Sequence, residues 1–321
     1  MKKMTPGRLI IYPLLLVIIS IVFKDQIVSA LTQYNGFDLS NSLINVKEIH
    51  HGGPAKDGIP AIDKPVFVSA QQADYLNNND RILGLSINGL AKAYPIKILN
   101  YHEIVNDFFL QKAVVITYCP LCGSGIGYFA DIKGKNTTFG VSGLLYNSDV
   151  LLYDRETNSL WSQLLSKAIS GKRKGTELEM LAVNHTTWQD WKKQYPNTLV
   201  LSDKTGFDRD YSRTPYGSYD QSRSLYFPVN QLNRDYHPKE YVLGLKLSDK
   251  TKVYPFAELS KIKSPYNDSF AGSEITIVFD AENRTGKIFD ENQNELPIVT
   301  SFWFAWMAFY PESEVFKADR Q

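Results

Sequence analysis

The fold is decided by the stretch Arg81-Ile82-Leu83-Gly84-Leu85-Ser86-Ile87-Asn88-Gly89-Leu90-Ala91-Lys92-Ala93-Tyr94-Pro95. Residues alternate in polarity on both sides of Asn88-Gly89, a dipeptide that favours a tight hairpin turn, so the stretch predicts two antiparallel strands. Its motifs recur 160 residues later, where Val242-Leu243-Gly244-Leu245 precedes Val253-Tyr254-Pro255. The chain therefore contains two copies of one predicted hairpin.

The similarity between the two copies continues beyond the hairpin. Asn106-Asp107 matches Asn267-Asp268 at an offset of 161 residues. Further on, Trp188 matches Trp303 at an offset of 115 residues. Matches in the same order favour an internal duplication, and the smaller offset indicates about 45 extra residues in the first copy. We therefore expect a strand-rich α+β fold of two related but unequal lobes.

The first copy also predicts the elements that follow its hairpin. Residues 99–109 have apolar side chains spaced for one face of a short helix, and residues 114–118 form an apolar run typical of a buried strand. A second helix is expected over residues 187–195, with a threonine at its start and Pro196 at its end. Strands should outweigh helices.

The expected organisation of the chain has five parts. They are residues 1–30, a signal peptide or N-terminal membrane anchor; 31–80, an extended segment; 81–205, the first lobe; 206–240, a connecting loop; and 241–321, the second, degenerate lobe.

The amino terminus predicts export. Leu9 to Phe23 is an apolar run of 15 residues preceded by Lys2, Lys3 and Arg8. Such a run is typical of a signal peptide and short for a membrane span, and Val28-Ser29-Ala30 fits a cleavage site. We expect an extracytoplasmic protein that stays attached to the membrane through residues 9–23 if it is not cleaved.

Charge argues against one class of partner. Lys and Arg number 35 and Asp and Glu 34, which gives a net charge of +1 without any clustered basic run. Because nucleic-acid binding needs a basic face, we expect no nucleic-acid partner. Composition does not indicate which small molecule or protein is the partner.

The chain has two cysteines, Cys119 and Cys122, in the motif Tyr118-Cys119-Pro120-Leu121-Cys122-Gly123. Two thiols at this spacing form a small disulfide ring, carry out dithiol chemistry, or hold a metal ion from two corners. A thioredoxin-like pair opens a long helix, whereas here Gly123-Ser124-Gly125 leads into a predicted strand. This context favours a metal knuckle or an exposed redox turn.

Further metal ligands have to come from other parts of the chain. His102 precedes the cysteine strand, with Glu103 and Asp107 as supporting groups. Imidazole with two thiolates suits copper or zinc. The second copy has Asp280 where Cys119 would align, which is consistent with a site confined to the first lobe. His185 lies in loop-like polar sequence and is a weak candidate.

Two polar regions of the chain are further candidates. Asp154 and Arg155 could orient an anion or a metal ligand, although a strand-end salt bridge is the favoured interpretation. The Tyr- and Arg-rich residues 209–219 of the connecting loop could line a ligand cleft.

The chain contains several long ordered motifs: Gly52-Gly53-Pro54-Ala55-Lys56-Asp57-Gly58-Ile59-Pro60-Ala61, His102-Glu103-Ile104-Val105-Asn106-Asp107, Thr117-Tyr118-Cys119-Pro120-Leu121-Cys122, Ser142-Gly143-Leu144-Leu145-Tyr146-Asn147-Ser148-Asp149, Tyr153-Asp154-Arg155-Glu156-Thr157 and Leu160-Trp161-Ser162-Gln163. Together these motifs resemble the DUF3179 family of bacteria and archaea, whose function is unknown. Tyr101 stands where the family is expected to have Trp, and Ala55 where it often has Pro. The resemblance implies an exported or lipid-linked extracytoplasmic protein and assigns no reaction.

Three functions are consistent with this sequence, which does not decide whether the protein is an enzyme. The first is a metal-binding or thiol-redox protein centred on Cys119 and Cys122, with copper or zinc as the metal. The second is a cysteine-dependent enzyme with His102 as base. The third is a ligand-binding module that uses the aromatic loop near Tyr211 to Tyr219, with the cysteines as a structural pair.

Overall fold

The computed structural model describes residues 34–318, of which 40% are in strands and 11% in helices. The predicted strand-rich class is thereby confirmed. The helices are α1 (Ile96–His102), α2 (Trp188–Gln194), α3 (Phe256–Leu259) and α4 (Trp303–Phe309), with short 3-10 helices at Val46–Glu48 and Tyr219–Gln221. The strands are β1 (Ile49–His51), β2 (Phe67–Ser69), β3 (Arg81–Ile87), β4 (Leu90–Pro95), β5 (Ile104–Phe109), β6 (Lys112–Cys119), β7 (Ser124–Phe129), β8 (Asp131–Ile132), β9 (Lys135–Asn136), β10 (Phe139–Tyr146), β11 (Asp149–Asp154), β12 (Leu160–Ser162), β13 (Lys167–Ala168), β14 (Met180–Leu181), β15 (Asn184–Thr187), β16 (Leu199–Leu201), β17 (Tyr241–Leu247), β18 (Lys250–Pro255), β19 (Tyr266–Phe270), β20 (Ser273–Asp280), β21 (Thr285–Asp290), β22 (Ile298–Phe302) and β23 (Glu314–Val315).

These strands form several sheets. The largest has eight strands in the order β23-β18-β17-β22-β7-β6-β5, with β14 paired to β7. Two five-stranded sheets have the orders β1-β10-β11-β12-β13 and β15-β3-β4-β16-β2. A three-stranded sheet, β19-β20-β21, and the β8-β9 pair complete the set.

Both predicted hairpins are present. Asn88 and Gly89 have φ angles of 51° and 80°, as a two-residue turn with a primed geometry requires. In each hairpin a tryptophan packs closely against the glycine that the two copies share. A Cβ on Gly84 would lie 2.4 Å from the Trp191 ring, and one on Gly244 would lie 2.1 Å from the Trp306 ring.

The two hairpins also have equivalent neighbours. Strand β15 runs antiparallel beside β3 and β16 runs parallel beside β4. In the same way, β22 runs antiparallel beside β17 and β23 runs parallel beside β18. Along the chain, helix α2 lies between β15 and β16, and helix α4 lies between β22 and β23.

One helix prediction is confirmed and one is wrong in part. Helix α2 begins after Thr187, whose hydroxyl accepts a hydrogen bond from the Asp190 amide. The predicted helix over residues 99–109 instead ends at His102, where Glu103 adopts a left-handed φ of 56°. The chain then continues as β5, which pairs with β6 over its full length. A spacing of four residues places side chains on one face of a helix and also on one face of a strand.

The carboxyl-terminal strands are joined directly to the cysteine region. Strand β22 pairs with β7 at Thr300 and Gly125, and the Phe302 amide donates to the Cys122 carbonyl at 2.8 Å. Within residues 34–318, no helix has the length and apolar character needed to cross a membrane. The predicted signal or anchor at residues 9–23 lies outside the described residues.

Candidate functional site

The two cysteines lie in a buried turn between two strands of the central sheet. Cys119 ends β6 and Cys122 precedes β7, and the Cys122 amide donates to the Cys119 carbonyl at 3.2 Å. Both residues are free cysteines, with exposed fractions of 1% and 0%. The turn leads into a strand, as predicted, but it is buried rather than exposed.

A carboxylate completes the cluster around the thiols. Asn147 and Ser148 have φ angles of 50° and 64°, and this tight turn between β10 and β11 brings the next residue, Asp149, against the cysteines. Ligand atoms of Cys119, Cys122 and Asp149 lie within 4.8 Å of one another. The Ser148 carbonyl is the acceptor for both thiols, at 3.7 Å from Cys119 Sγ and 3.4 Å from Cys122 Sγ.

Burial makes the charged forms of these three groups unfavourable. It raises the pKa of Asp149 to about 7, although the Leu164 amide donates to Asp149 Oδ2 at 3.0 Å. The other oxygen, Oδ1, is buried and has no hydrogen-bond partner. Burial also raises the pKa of the Cys119 and Cys122 thiols. A bound cation would reverse these shifts, because it favours the deprotonated form of every neighbouring acid.

Glu103 is a second buried carboxyl group near the thiols. Burial raises its pKa to about 8, and the Tyr216 hydroxyl donates to Glu103 Oε1 at 3.5 Å. Burial is the main cause of the raised pKa of Cys119, hydrogen bonding with Cys122 lowers this pKa, and the negative charges of Asp149 and Glu103 raise it. The structure thus places the predicted supporting residue Glu103 within electrostatic range of the site.

Residues of the connecting segment lie near the thiols, within electrostatic range of them. Tyr216 and Tyr219 belong to the same apolar cluster as Cys119 and Cys122. Lys239 is 5% exposed, lies 3.7 Å above the Tyr219 ring and donates to the Ser224 carbonyl at 2.8 Å. Burial lowers the pKa of Lys239 to about 8, whereas the charge of the nearby Cys122 raises this pKa.

His102 lies at the end of α1 with both ring nitrogens engaged. Nδ1 is 2.8 Å from the Pro60 carbonyl and Nε2 is 2.6 Å from the Tyr211 hydroxyl. Since a carbonyl only accepts, Nδ1 carries the proton and Nε2 accepts from Tyr211. Burial lowers the pKa of His102, which favours this neutral form. The ligand atoms grouped with the thiols include Asp149 and not His102.

The other predicted supporting residues have partners within the fold. Asp107 accepts from Lys92 Nζ at 2.7 Å and from the Tyr94 hydroxyl at 2.6 Å. Asp154 accepts from Trp161 Nε1 at 2.9 Å, and Arg155 forms an ion pair with Asp63. These contacts join strands and turns, and none of them includes a cysteine.

A cavity of about 180 Å³ adjoins the dithiol turn. Its walls include Tyr118, Pro120 and Tyr219, and the buried ring of His185 lies edge-on between Tyr118 and Tyr241. Both ring nitrogens of His185 and the hydroxyl of Tyr219 lack hydrogen-bond partners.

Sequence analysis did not single out Asp149 or Lys239 of this region as functional, and it treated His185 only as a weak candidate. Asp149 had a usable signal, because it directly follows an Asn-Ser pair suited to a hairpin turn between two apolar strands. Lys239 had no such signal and His185 had only its residue type, since both reach this region through long-range packing. The predicted aromatic loop is divided: Tyr216 and Tyr219 line the cavity, whereas Tyr211 binds His102.

Comparison with known proteins gives one match. Residues 56–295 match the family described as "Protein of unknown function (DUF3179)". No curated protein matches the chain, and no solved structure does.

Proposed function

The chain belongs to the DUF3179 family, whose description assigns no activity, and we propose that it binds one zinc ion through Cys119, Cys122 and Asp149. One observation carries the proposal. Two buried free thiols and a buried carboxylate with an unpartnered oxygen have ligand atoms within 4.8 Å of one another. Burial makes deprotonation of these three acids unfavourable, and a divalent cation would supply the charge that stabilises their deprotonated forms.

Burial favours metal binding over dithiol exchange. The nucleophile in disulfide exchange is an accessible thiolate, and reactive cysteines have a lowered pKa. Here both thiols are buried and their pKa values are raised. A redox partner therefore has no direct approach to either sulfur in this conformation.

The ligand set favours zinc over copper. Copper(I) selects thiolate and thioether ligands, whereas zinc accepts thiolate and carboxylate together. Three protein ligands leave a fourth position for water or a bound molecule, as in catalytic zinc sites. The competing assignment is the set that the sequence alone suggests, in which Cys119, Cys122 and His102 hold copper or zinc.

Elemental analysis of the full chain tests the proposal. We expect about one zinc per chain in the wild type and at least tenfold weaker zinc affinity in Asp149→Asn and Cys122→Ser. The matched control is Asp249→Asn, which changes an exposed turn carboxylate and should leave the affinity unchanged. His102→Gln is predicted to keep its zinc. Loss of metal in His102→Gln with retention in Asp149→Asn would contradict the proposal and support the ligand set predicted from the sequence, Cys119, Cys122 and His102.

We also infer that residues 81–205 and 241–321 arose by duplication. Equivalent side-chain contacts support this inference: Lys92 and Tyr94 bind Asp107, and Lys252 and Tyr254 bind Asp268. The segment between β7 and β15 has no counterpart between β21 and β22, and it contains Asp149. The insertion would thus have supplied Asp149 to the two cysteines, which lie outside it.

Extracytoplasmic location remains a proposal that rests on residues 1–30. Its test is the intact mass and amino-terminal sequence of the protein recovered from each cell fraction. Recovery outside the cytoplasm, cleaved after Ala30 or anchored through residues 9–23, supports it. Recovery of an unprocessed soluble chain in the cytoplasm contradicts it.

A further inference from the structure

A second site with a different chemistry lies next to the proposed zinc ligands. His185 is 3% exposed and lines the 180 Å³ cavity, yet neither ring nitrogen has a hydrogen-bond partner. Buried imidazole nitrogens are ordinarily satisfied, because a buried polar group without a partner is unfavourable. The hydroxyl of Tyr219, on the wall of the same cavity, is also without a partner. These groups point to a polar ligand.

The charge around the cavity indicates the sign of that ligand. An adjoining hollow of about 280 Å³ shares Arg81, Asp220 and Tyr241 with the cavity as common walls. Lys239 and Arg284 also line this hollow. With Arg81 they make three cationic side chains, against the single carboxylate of Asp220. Such an excess of positive charge in a partly enclosed space attracts anions.

The cationic groups are held in place by the fold. The Arg81 guanidinium donates to the His185 carbonyl at 2.7 Å and to the Asn283 carbonyl at 2.5 Å. The Arg284 guanidinium lies 4.7 Å from the centre of the Tyr241 ring. A set of fixed donors costs little additional ordering when a ligand binds, which favours specific recognition.

We propose that this cavity is a binding site for a small organic or inorganic oxyanion, recognised through a carboxylate or phosphate group. His185 and Tyr219 are the hydrogen-bonding groups, and Arg81, Lys239 and Arg284 supply the charge. The site is independent of the zinc proposal, because none of these residues belongs to the thiol and carboxylate cluster. A ligand held here lies beside the dithiol turn, since Tyr118 and Pro120 form part of the same wall.

Calorimetric titration of the full chain tests the proposal with three probes. Malonate represents carboxylates, inorganic phosphate represents phosphates, and malonamide is the neutral counterpart of malonate. We expect saturable binding of one molecule of malonate or phosphate per chain and no binding of malonamide. The tighter of the two anions identifies the ligand class. Absence of saturable binding of both anions, or equal binding of malonamide, would overturn the proposal.

Two conservative variants separate recognition from folding. His185→Phe keeps an aromatic ring between Tyr118 and Tyr241, and it should weaken anion binding at least tenfold without lowering the ligand-free melting temperature. Tyr219→Phe should weaken binding at least threefold. The control is Tyr254→Phe, whose hydroxyl donates to Asp268 at 2.9 Å, and it should lower the melting temperature while keeping anion affinity within twofold. Wild-type affinity in both His185→Phe and Tyr219→Phe contradicts the assignment.

The zinc and anion proposals can fail separately. Cys122→Ser is expected to lose zinc and keep its anion affinity within threefold. If anion binding in the wild type requires zinc and is lost in Cys122→Ser, the metal rather than the cavity holds the anion. Conversely, anion binding by a protein that never retains zinc leaves the cavity assignment intact.

Discussion

The two carboxyl oxygens of Asp149, the acidic residue grouped with the thiols, have different environments. One oxygen accepts a backbone hydrogen bond, the other has no partner, and burial raises its pKa to about 7. Near neutral pH the metal-free site therefore holds protons on the thiols and, in part, on the carboxyl group. Zinc has to displace these protons in order to bind.

Zinc binding should release protons, and Asp149 should contribute one of them at pH 6. Calorimetry in buffers with different ionisation enthalpies measures this number directly. We expect Asp149→Asn to release about one proton fewer than the wild type at pH 6 and an equal number at pH 9. An unchanged number at pH 6 would show that the Asp149 carboxyl group remains protonated or lies outside the metal site.

Glu103 predicts a pH-dependent stability of the metal-free protein. Its pKa is about 8 in the folded state against about 4.5 when unfolded, so the folded state binds the proton more tightly. The stabilisation is complete below about pH 4.5 and is lost as the pH rises through about 8. Relative to Glu103→Gln, the wild type should lose up to about 1.4 kcal/mol of unfolding free energy per pH unit between these limits.

Urea unfolding in the presence of a chelator checks the Glu103 prediction. Asp149 titrates in both proteins, so the difference between wild type and Glu103→Gln isolates Glu103. Glu179→Gln, which changes an exposed glutamate, is the matched control and should show a pH-independent difference from the wild type. A flat difference for Glu103→Gln as well would mean that Glu103 is not buried in solution.

At the scale of the element, strand β3 depends on the absence of a side chain at Gly84. Gly84→Ala would place a methyl group 2.4 Å from the Trp191 ring, so α2 has to move away from the sheet. We expect a loss of about 3 kcal/mol in unfolding free energy. Ser86→Ala on the same strand should change it by less than about 0.5 kcal/mol. Denaturant titration of both variants measures the contrast, and a similar small loss in each would contradict the tight packing.

Sequence patterns predicted the elements whose determinants are local. The β3–β4 hairpin followed from Asn88-Gly89, and the start of α2 followed from a threonine cap. The sequence predicts a helix over residues 104–109 because an apolar spacing of four residues fits both a helix and a strand. Only the pairing with β6 makes this segment a strand.

Only those parts of the candidate site whose residues are close together in the sequence could be predicted. The two cysteines stand three residues apart and were identified from their motif. Asp149 joins them because the β10–β11 turn packs against the end of β6, and His185 reaches the cavity from a strand on another sheet. Such contacts arise from tertiary packing, which no window of neighbouring residues contains.

At the scale of the whole molecule, the carboxyl-terminal segment is tied to the proposed metal site through the Phe302 amide and the Cys122 carbonyl. Zinc should therefore slow hydrogen exchange at Phe302 by at least tenfold, because it fixes the dithiol turn. The Phe316 amide, which donates to the Val253 carbonyl at 2.9 Å, is the internal control and should respond less. Cys122→Ser should abolish the difference. Equal protection of Phe302 with and without zinc would contradict this coupling.

The bond between Phe302 and Cys122 also has a consequence for biosynthesis. The cysteines are synthesised long before Lys239 and Phe302, the residues that later enclose them. Until the last strands dock, the thiols of a nascent chain are open to oxidants, and a Cys-x-x-Cys pair readily closes into a disulfide. A metal captured at this early stage would protect the sulfurs until the carboxyl-terminal strands seal the site. With the proposed zinc site, the order of synthesis would thus make early metal loading a safeguard against misoxidation.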